Sequence, residues 1–233
     1  MNPLWTQLAA AAGLSLTEAQ HVLLDRYLDL LLEANKLMNL TRIDDRSAAE
    51  LGHVGDALTV LPFLPRGAHR LVDVGSGGGV PGIPLAIVRP DVQVTLVEST
   101  KKKAVFLERT AVTLGLVNVR VLPERAEDVA QGEMRESFDV AIARALAPLA
   151  LVGEWCLPLV KVGGKLLAMK GPKVEEELPA ARKAIELLGG GEVAVRAVEL
   201  RGVENHVVVE VRKVGRTDTR YPRPPSQTKS KAL

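Results

Sequence analysis

A single cysteine, Cys156, stands among 233 residues, so no intramolecular disulfide can form and the chain suits a reducing compartment. Cys156 sits between Trp155 and Leu157 with no flanking positive charge to lower its pKa, which counts against a reactive thiolate. The four histidines, at 21, 53, 69 and 206, lie apart and form no metal-ligand spacing with that cysteine, so no metal site is expected. No apolar run approaches the ~18 residues that a membrane span requires. The N-terminus shows no charged-then-apolar targeting pattern. A cytoplasmic enzyme without membrane attachment is expected. Net charge is only +2, which by itself argues against strong nonspecific attraction to a polyanion. Asparagine and glutamine are scarce beside alanine, valine, leucine and arginine, as in a thermophile or in any GC-rich genome.

What is present is concentrated in one stretch. Leu71-Val72-Asp73-Val74 is an apolar run carrying one carboxylate, and it breaks into four glycines, Gly75, Gly77, Gly78 and Gly79, within five positions. The pattern fits a buried strand ending in the first βα turn of a doubly wound α/β domain, where glycine lets the backbone turn sharply and approach a nucleotide-like ligand. A P-loop is excluded because Gly79 is followed by Val80-Pro81-Gly82-Ile83-Pro84, with neither the lysine nor the hydroxyl that phosphate and magnesium need. A dinucleotide site wants a helix opening at the second glycine, whereas Pro81 and Pro84 delay the helix to about Pro84. Asp73 has no task beside a pyrophosphate. It suits a carboxylate that holds the loop amides and faces a cationic amino-acid group, which favours S-adenosylmethionine (SAM) over NAD.

The next apolar run, Val92–Val97, ends at Glu98, 23 residues after Gly75 and near the offset at which an acid meets a ribose diol. Glu98 either accepts both ribose hydroxyls or caps the following helix through Ser99 and Thr100. Val119–Leu122 reads as a third strand. The loop after it holds Ala126 and Glu127 where an adenine edge would lie, and the exocyclic amine suits an acceptor such as Glu127 or a carbonyl beside Ala126.

Coarser patterning completes the organisation. Ser15-Leu-Thr-Glu18 has capping-box form, and Leu23, Tyr27, Leu30, Leu31, Ala34 and Leu37 then recur at helical spacing as a core-facing stripe. Residues 47–61 read as another helix. Strands are expected near 70–74, 93–97, 118–122, 138–143, 164–169, 192–199 and 206–213, the last two as an antiparallel hairpin because no helix separates them. His53 and Asp56 share a helical face and either line a substrate entrance or bond each other. Arg144 closes the fourth strand, where it meets the cofactor or an RNA phosphate, or pairs with Asp73 or Glu127. Residues 212–233 hold seven basic side chains against Asp218 alone, a charge of +6 that leaves −4 for the rest. Any phosphate attraction is concentrated in this tail and in Lys101, Lys102 and Lys103, unless the tail merely solubilises.

At this point the runs Asp73-Val-Gly-Ser-Gly-Gly-Gly-Val-Pro-Gly-Ile-Pro-Leu-Ala-Ile87, Leu96-Val-Glu-Ser-Thr-Lys-Lys-Lys103, Arg125-Ala-Glu127, Arg144-Ala145 and Met169-Lys-Gly171 can be taken together. With Asn39-Leu-Thr41, His53-Val-Gly-Asp56 and Tyr221-Pro-Arg223, the chain resembles the bacterial small-subunit rRNA guanine-N7 methyltransferase family, also called the glucose-inhibited division protein B family. The resemblance implies a class I SAM-dependent methyltransferase fold: an α/β, Rossmann-like, seven-stranded and mostly parallel sheet with a C-terminal antiparallel hairpin, plus an N-terminal helical cap. Residues 1–66 would form the cap, 67–214 the SAM-binding domain and 215–233 a basic tail. It also implies methyl transfer to N7 of guanine 527, in the 530 loop of 16S rRNA, on naked rRNA or on the 30S subunit, by a monomer.

The family's SAM contacts fall on Gly75, Val80, Glu98, Ser99, Thr100, Ala126, Glu127 and Arg144, to which the residue reading adds Asp73 and Gly77. His53, Asp56, Arg144, Lys170, Arg220, Arg223, Lys229 and Lys231 are the candidate RNA contacts. Val80 stands where the family carries a larger Leu or Phe, and the tail lacks the family's usual glycine. No catalytic base is expected, because N7 presents a lone pair at neutral pH and needs alignment rather than deprotonation. Arg144-Ala-Leu-Ala-Pro148 lacks the Pro-Pro-aromatic motif of amino-nitrogen methylation. A small-molecule methyltransferase and a noncatalytic nucleotide-binding protein are the rival readings; the basic tail disfavours the first.

Overall fold

Near-continuous apolar runs along the central strands send side chains to both faces of one sheet and so build two cores. The computed structural model describes residues 1–200, 202, 206–228 and 233. Its strands are β1 (Arg70–Val74), β2 (Gln93–Val97), β3 (Val119–Leu122), β4 (Phe138–Arg144), β5 (Val160–Lys170), β6 (Gly190–Ala197) and β7 (Val207–Lys213). They form one seven-stranded sheet in the order β3-β2-β1-β4-β5-β7-β6. Strands β1 to β5 pair in parallel, and β7 runs antiparallel to both β5 and β6. The α/β class, the seven strands and the terminal hairpin are those expected from the sequence.

Successive side chains on a strand point to opposite faces. Leu71, Val94, Leu96, Val140, Ile142 and Leu167 therefore enter one core, with α1 (Pro3–Ala11), α2 (Glu18–Met38), α5 (Gly82–Val88) and α6 (Lys101–Thr113). Val72, Val74, Val97, Ala141, Leu166 and Ala168 enter the other, with α7 (Ala126–Gln131), α8 (Leu149–Cys156) and α9 (Val174–Leu187). Helices on both faces are what a parallel sheet with near-continuous apolar strands requires. Truncating one fully buried leucine such as Leu96 to alanine would cost roughly 2–5 kcal/mol. Because Asp73 shares the parity of Leu71, its side chain points at α5 rather than along the strand.

Several local expectations shift. The capping box that opens α2 is formed by Thr17 and Gln20, two residues beyond the Ser15/Glu18 pair. The fully buried stripe of α2 is Leu24, Tyr27, Leu28 and Leu31, while Leu37 is 87% exposed. A helical period tolerates either phase here, and contact with α5 selects one. Helix α5 opens at Gly82, not Pro84, because a proline in a first helical turn loses only an N–H that had no intrahelical partner. The span 47–61 is helical but broken into α3 (Arg46–Ala49), a π-helical turn (Glu50–Gly55), α4 (Asp56–Leu58) and a short 3₁₀ turn at Leu61–Phe63. Strand β5 starts at Val160, four residues earlier than expected.

Candidate active-site cleft

The strand order reverses between β1 and β4, and at such a switch point the carboxyl ends of parallel strands open a crevice. A cleft of about 630 Å³ occupies that position, a size suited to one small ligand. Gly75, Ser76, Gly77, Gly78 and Val80 line it from the β1–α5 loop, with Glu98 and Ser99 from the end of β2. Arg125, Ala126 and Glu127 contribute from the entry to α7, and Arg144, Ala145 and Leu146 from the end of β4.

The glycine loop is held from three sides. Its first amides, Gly75 and Ser76, donate to the Val97 carbonyl at 2.9 and 3.1 Å, tying the loop to β2. Gly77 donates to Glu98 Oε2 at 3.0 Å. From above, Tyr27 of α2 donates its hydroxyl to the Gly78 carbonyl at 2.9 Å. Gly75 and Gly77 have φ of +74° and +55°, the left-handed region that other residues enter at a cost. A Cβ on Gly75 would also collide with Leu146.

Glu98 takes the helix-entry role that its position allowed and adds a bond to the glycine loop. Oε1 accepts the Thr100 N–H at 2.7 Å, at the mouth of α6, while Oε2 holds the loop. Thr100 serves through that amide and, unlike Ser99, is not among the lining residues. Asp73 holds a backbone amide just beyond the glycines, as expected, but it does not line the cleft and so does not face a ligand there. Its side chain is buried, and Oδ2 accepts the Gly82 N–H at 2.9 Å, fixing the start of α5 under the loop. Burial pushes its carboxyl up to about 7. Glu127 is buried at the cleft, and its Oε1 has no hydrogen-bond partner; Arg125 stands 3.6 Å away.

Arg144 pairs with neither Asp73 nor Glu127. Its Nε meets Asp56 Oδ2 at 2.8 Å, one terminal nitrogen donates to the Gly52 carbonyl at 2.7 Å, and the other lies 3.5 Å from His53 Nδ1. His53 and Asp56 thus do not bond each other but meet through Arg144. The π-helical turn that carries Gly52 and His53 supplies this arrangement, and such turns recur at functional positions. His53 lines the cleft, and its Nε2 contacts Thr41 Oγ1 at 3.0 Å. Burial and the nearby Arg144 hold its pKa down to about 4, so the ring is neutral near pH 7. Asp56 is buried behind Arg144 and also accepts from His206 Nδ1 at 3.0 Å. Ala145 adopts φ +49°, a left-handed conformation uncommon outside glycine, as the chain leaves β4.

Two of the expected RNA contacts are spent inside the molecule. Lys170 Nζ bonds Glu177 at 2.7 Å and the Ala147 carbonyl at 3.0 Å. Arg223 grips both carboxylate oxygens of the fully buried Glu154 at 2.8 and 2.7 Å. Burying a carboxylate without a partner costs several kcal/mol, and this requirement outweighs any call on Arg223 from outside. The same holds for Lys213, which is buried and donates to the carbonyls of Leu157 and Leu188 at 2.8 and 3.1 Å. Through Thr228 the basic tail is therefore folded against the body. Arg220 is exposed, pairs with Asp218 at 3.0 Å and lies over the Tyr221 ring at 5.5 Å. Lys229 and Lys231 lie outside the described residues.

The cleft also takes Trp155, Leu31, Leu40 and Arg42, which the sequence did not mark as site residues, while Lys103 comes from the lysine cluster expected to attract phosphate. Trp155 was seen only as a neighbour of Cys156, whose buried thiol is raised well above its ordinary value. No local signal marks Trp155, Leu31, Leu40 and Arg42, because α2, the loop after it and α8 bring them together from distant segments.

Residues 20–208 match the family model described as rRNA small subunit methyltransferase G. A protein of Pelotomaculum thermopropionicum named ribosomal RNA small subunit methyltransferase G is 43% identical over 97% of this chain and 95% of its own length. One of the same name from Lactobacillus johnsonii is 39% identical over all of both chains. Among solved structures, a putative S-adenosyl-L-methionine-dependent methyltransferase from Methanococcus maripaludis superposes with a TM-score of 0.57 at 11% identity, covering 73% of this chain and 90% of that one, a likeness of fold alone. With the family model spanning most of the chain and these relatives matching nearly end to end, the protein belongs to the rRNA small subunit methyltransferase G family.

Proposed function

We propose that the cleft binds S-adenosyl-L-methionine and that the protein methylates N7 of guanine 527, in the 530 loop of 16S rRNA. The carrying observation is the clasp at the switch point, where the Gly77 amide and the Thr100 amide converge on the Glu98 carboxylate. These bonds fix the carboxylate at the strand end and leave lone pairs on both oxygens for a ribose diol. Beyond it, Glu127 presents a buried oxygen without a hydrogen-bond partner, 3.6 Å from Arg125 and matched to the exocyclic amine of adenine. Gly75, Gly77, Val80, Ser99 and Ala126 form the surrounding wall. The donor set therefore fits an adenosine, with an acceptor at each end and bare backbone between.

When bound there, the cofactor supplies an electrophilic methyl on a sulfonium. The protein's part is orientation. Guanine N7 carries its own lone pair, so no side chain has to remove a proton, and holding two reactants in line can lower a barrier by roughly 7–11 kcal/mol. Arg144, fixed by Asp56 and the Gly52 carbonyl, sets a cation at the end of β4 between the glycine loop and His53. Arg42, Lys103 and Arg125 stand around the same cleft and supply positive charge where RNA phosphates would approach. No described helix is long and apolar enough to cross a membrane; action on ribosomal RNA places the protein in the cytoplasm in this reading.

Calorimetry with S-adenosylhomocysteine, NAD and ATP tests the cofactor. Binding of the first and not the others is expected. Preference for NAD or ATP would make the cleft a different nucleotide site.

A further inference from the structure

The segment 217–223 is strapped to one pair of helices by three side chains. Arg223 reaches Glu154 of α8 through its backbone N–H (2.9 Å) and its guanidinium (2.8 and 2.7 Å). Gln131, the last residue of α7, donates to the carbonyls of Thr219 and Pro222 at 3.3 and 3.1 Å. Arg135, just beyond α7, donates to the carbonyls of Thr217, Asp218 and Tyr221 at 2.8, 3.1 and 2.9 Å, and to Ala130 of α7 at 3.0 Å. Tyr221 packs into the core on that face of the sheet.

The same two helices form one wall of the cleft. Glu127 is in the first turn of α7, and Trp155 follows Glu154 directly on α8. Among the described cleft-lining residues, Glu127 Oε1 and Trp155 Nε1 are the buried side-chain polar atoms without a hydrogen-bond partner, an acceptor and a donor, the acceptor standing 3.6 Å from the Arg125 guanidinium. Buried polar atoms left unpaired are costly unless something pairs them. A purine ring offers both complements, an amine that donates and ring nitrogens that accept.

We infer that the 217–223 strap positions the cofactor wall: Arg223, acting through Glu154, holds α8 against α7 and so sets where Trp155 and Glu127 meet the adenine base. The inference rests on the cofactor reading above. It makes Arg223 a positioning residue rather than an RNA contact, and it assigns the indole N–H of Trp155 to adenine.

The test is calorimetry of the full chain with S-adenosylhomocysteine and with adenosine, for wild type, Arg223→Gln, Arg223→Lys and Gln131→Ala, well below the unfolding temperature. Arg223→Gln should weaken both ligands by the same factor, roughly tenfold or more, the scale on which a misplaced positioning group acts. Gln131→Ala should move both in the same direction by less, and Arg223→Lys should recover part of the loss. Acrylamide should quench the fluorescence of Trp155 more readily in Arg223→Gln, with fully buried Trp5 as the unchanging background. If Arg223→Gln does not fold, Gln131→Ala decides. Affinities within about twofold of wild type in the folded variants would overturn the inference, as would weakened rRNA binding with cofactor affinity unchanged. A wild type that binds neither ligand would instead overturn the cofactor reading itself.

Discussion

Gly77 and Glu98 are clasped across the ends of β1 and β2: the Gly77 amide donates to Glu98 Oε2 at 3.0 Å, while Oε1 of the same carboxylate accepts the Thr100 amide at 2.7 Å. One side chain thus fixes the glycine loop and the entry to α6. Glu98→Ala removes the clasp together with the acceptor for a ribose. A lost hydrogen bond to a charged group costs about 1.5–3 kcal/mol, so cofactor affinity should fall by roughly one to two orders of magnitude. Calorimetry on the folded variant checks this, and an unchanged affinity would remove Glu98 from the site.

Gly77→Val separates backbone strain from ligand contact. A Cβ at Gly77 meets nothing closer than the Gly75 carbonyl at 3.8 Å, so the substitution costs stability through its φ of +55°, about 1–2 kcal/mol. The side chain then stands in the cleft, and cofactor binding should be lost. Gly115→Val is the control: its φ is +66°, nothing lies within 4 Å, and it is not among the cleft-lining residues. It should show a similar loss of stability with binding retained. Equal binding by the two variants would contradict the assignment of the loop.

Asp73 should make stability fall as pH rises. Burial lifts its carboxyl from an ordinary 3.8 to about 7, so between those values the folded protein keeps a proton that the unfolded chain has released. Over that window stability declines by about 1.4 kcal/mol per pH unit, and the penalty is complete above the folded pKa. Asp73→Asn keeps an acceptor for the Gly82 amide and removes the proton linkage. Urea unfolding at pH 5 and pH 7.5 should show wild type losing stability relative to the variant by up to a few kcal/mol. Parallel behaviour at the two pH values would mean that Asp73 is ionised in the fold.

Arg42 should contact RNA where Arg46 does not. Arg42 lines the cleft, and no hydrogen bond or ion pair engages it among the described residues. Arg46, four residues on, is committed to Asp25, Asp29 and Glu50. A real single-strand phosphate contact contributes ~0.7 to the log–log salt slope of binding. Arg42→Gln should lower that slope by about this amount, and Arg46→Gln should leave it unchanged. Identical slopes for wild type and Arg42→Gln would place the RNA elsewhere.

The sheet was legible because its signals are local. The apolar runs at Leu71–Val74 and Val92–Val97, broken by glycines in one case and an acid in the other, announce both strand ends and the glycine loop. Glu98 and Glu127 could be placed because each ends or follows a strand at a spacing that ligand size dictates. The phase of α2 was not legible, since the choice between Leu37 and Leu28 as buried residues depends on contact with α5. In the tail, charge alone did not separate inward-facing from outward-facing cations. Seven basic side chains look like an RNA arm, yet Lys213 and Arg223 are drawn inward by buried carbonyls and by Glu154, a partner 69 residues away. The Arg144–Asp56–His206 connection spans a similar gulf, and the π-helical turn that completes it has no periodicity of its own to betray it.

The most direct measurement is mass spectrometry of 16S rRNA nucleosides and fragments after incubating the protein with isotopically labelled SAM and 30S subunits, or naked rRNA, lacking the modification. The expected result is label in 7-methylguanosine at the single fragment containing guanine 527, lost in Glu98→Ala. Label on another base, or on a different fragment, would contradict guanine-N7 transfer in the 530 loop, and no label despite tight cofactor binding would leave the cleft without its proposed chemistry.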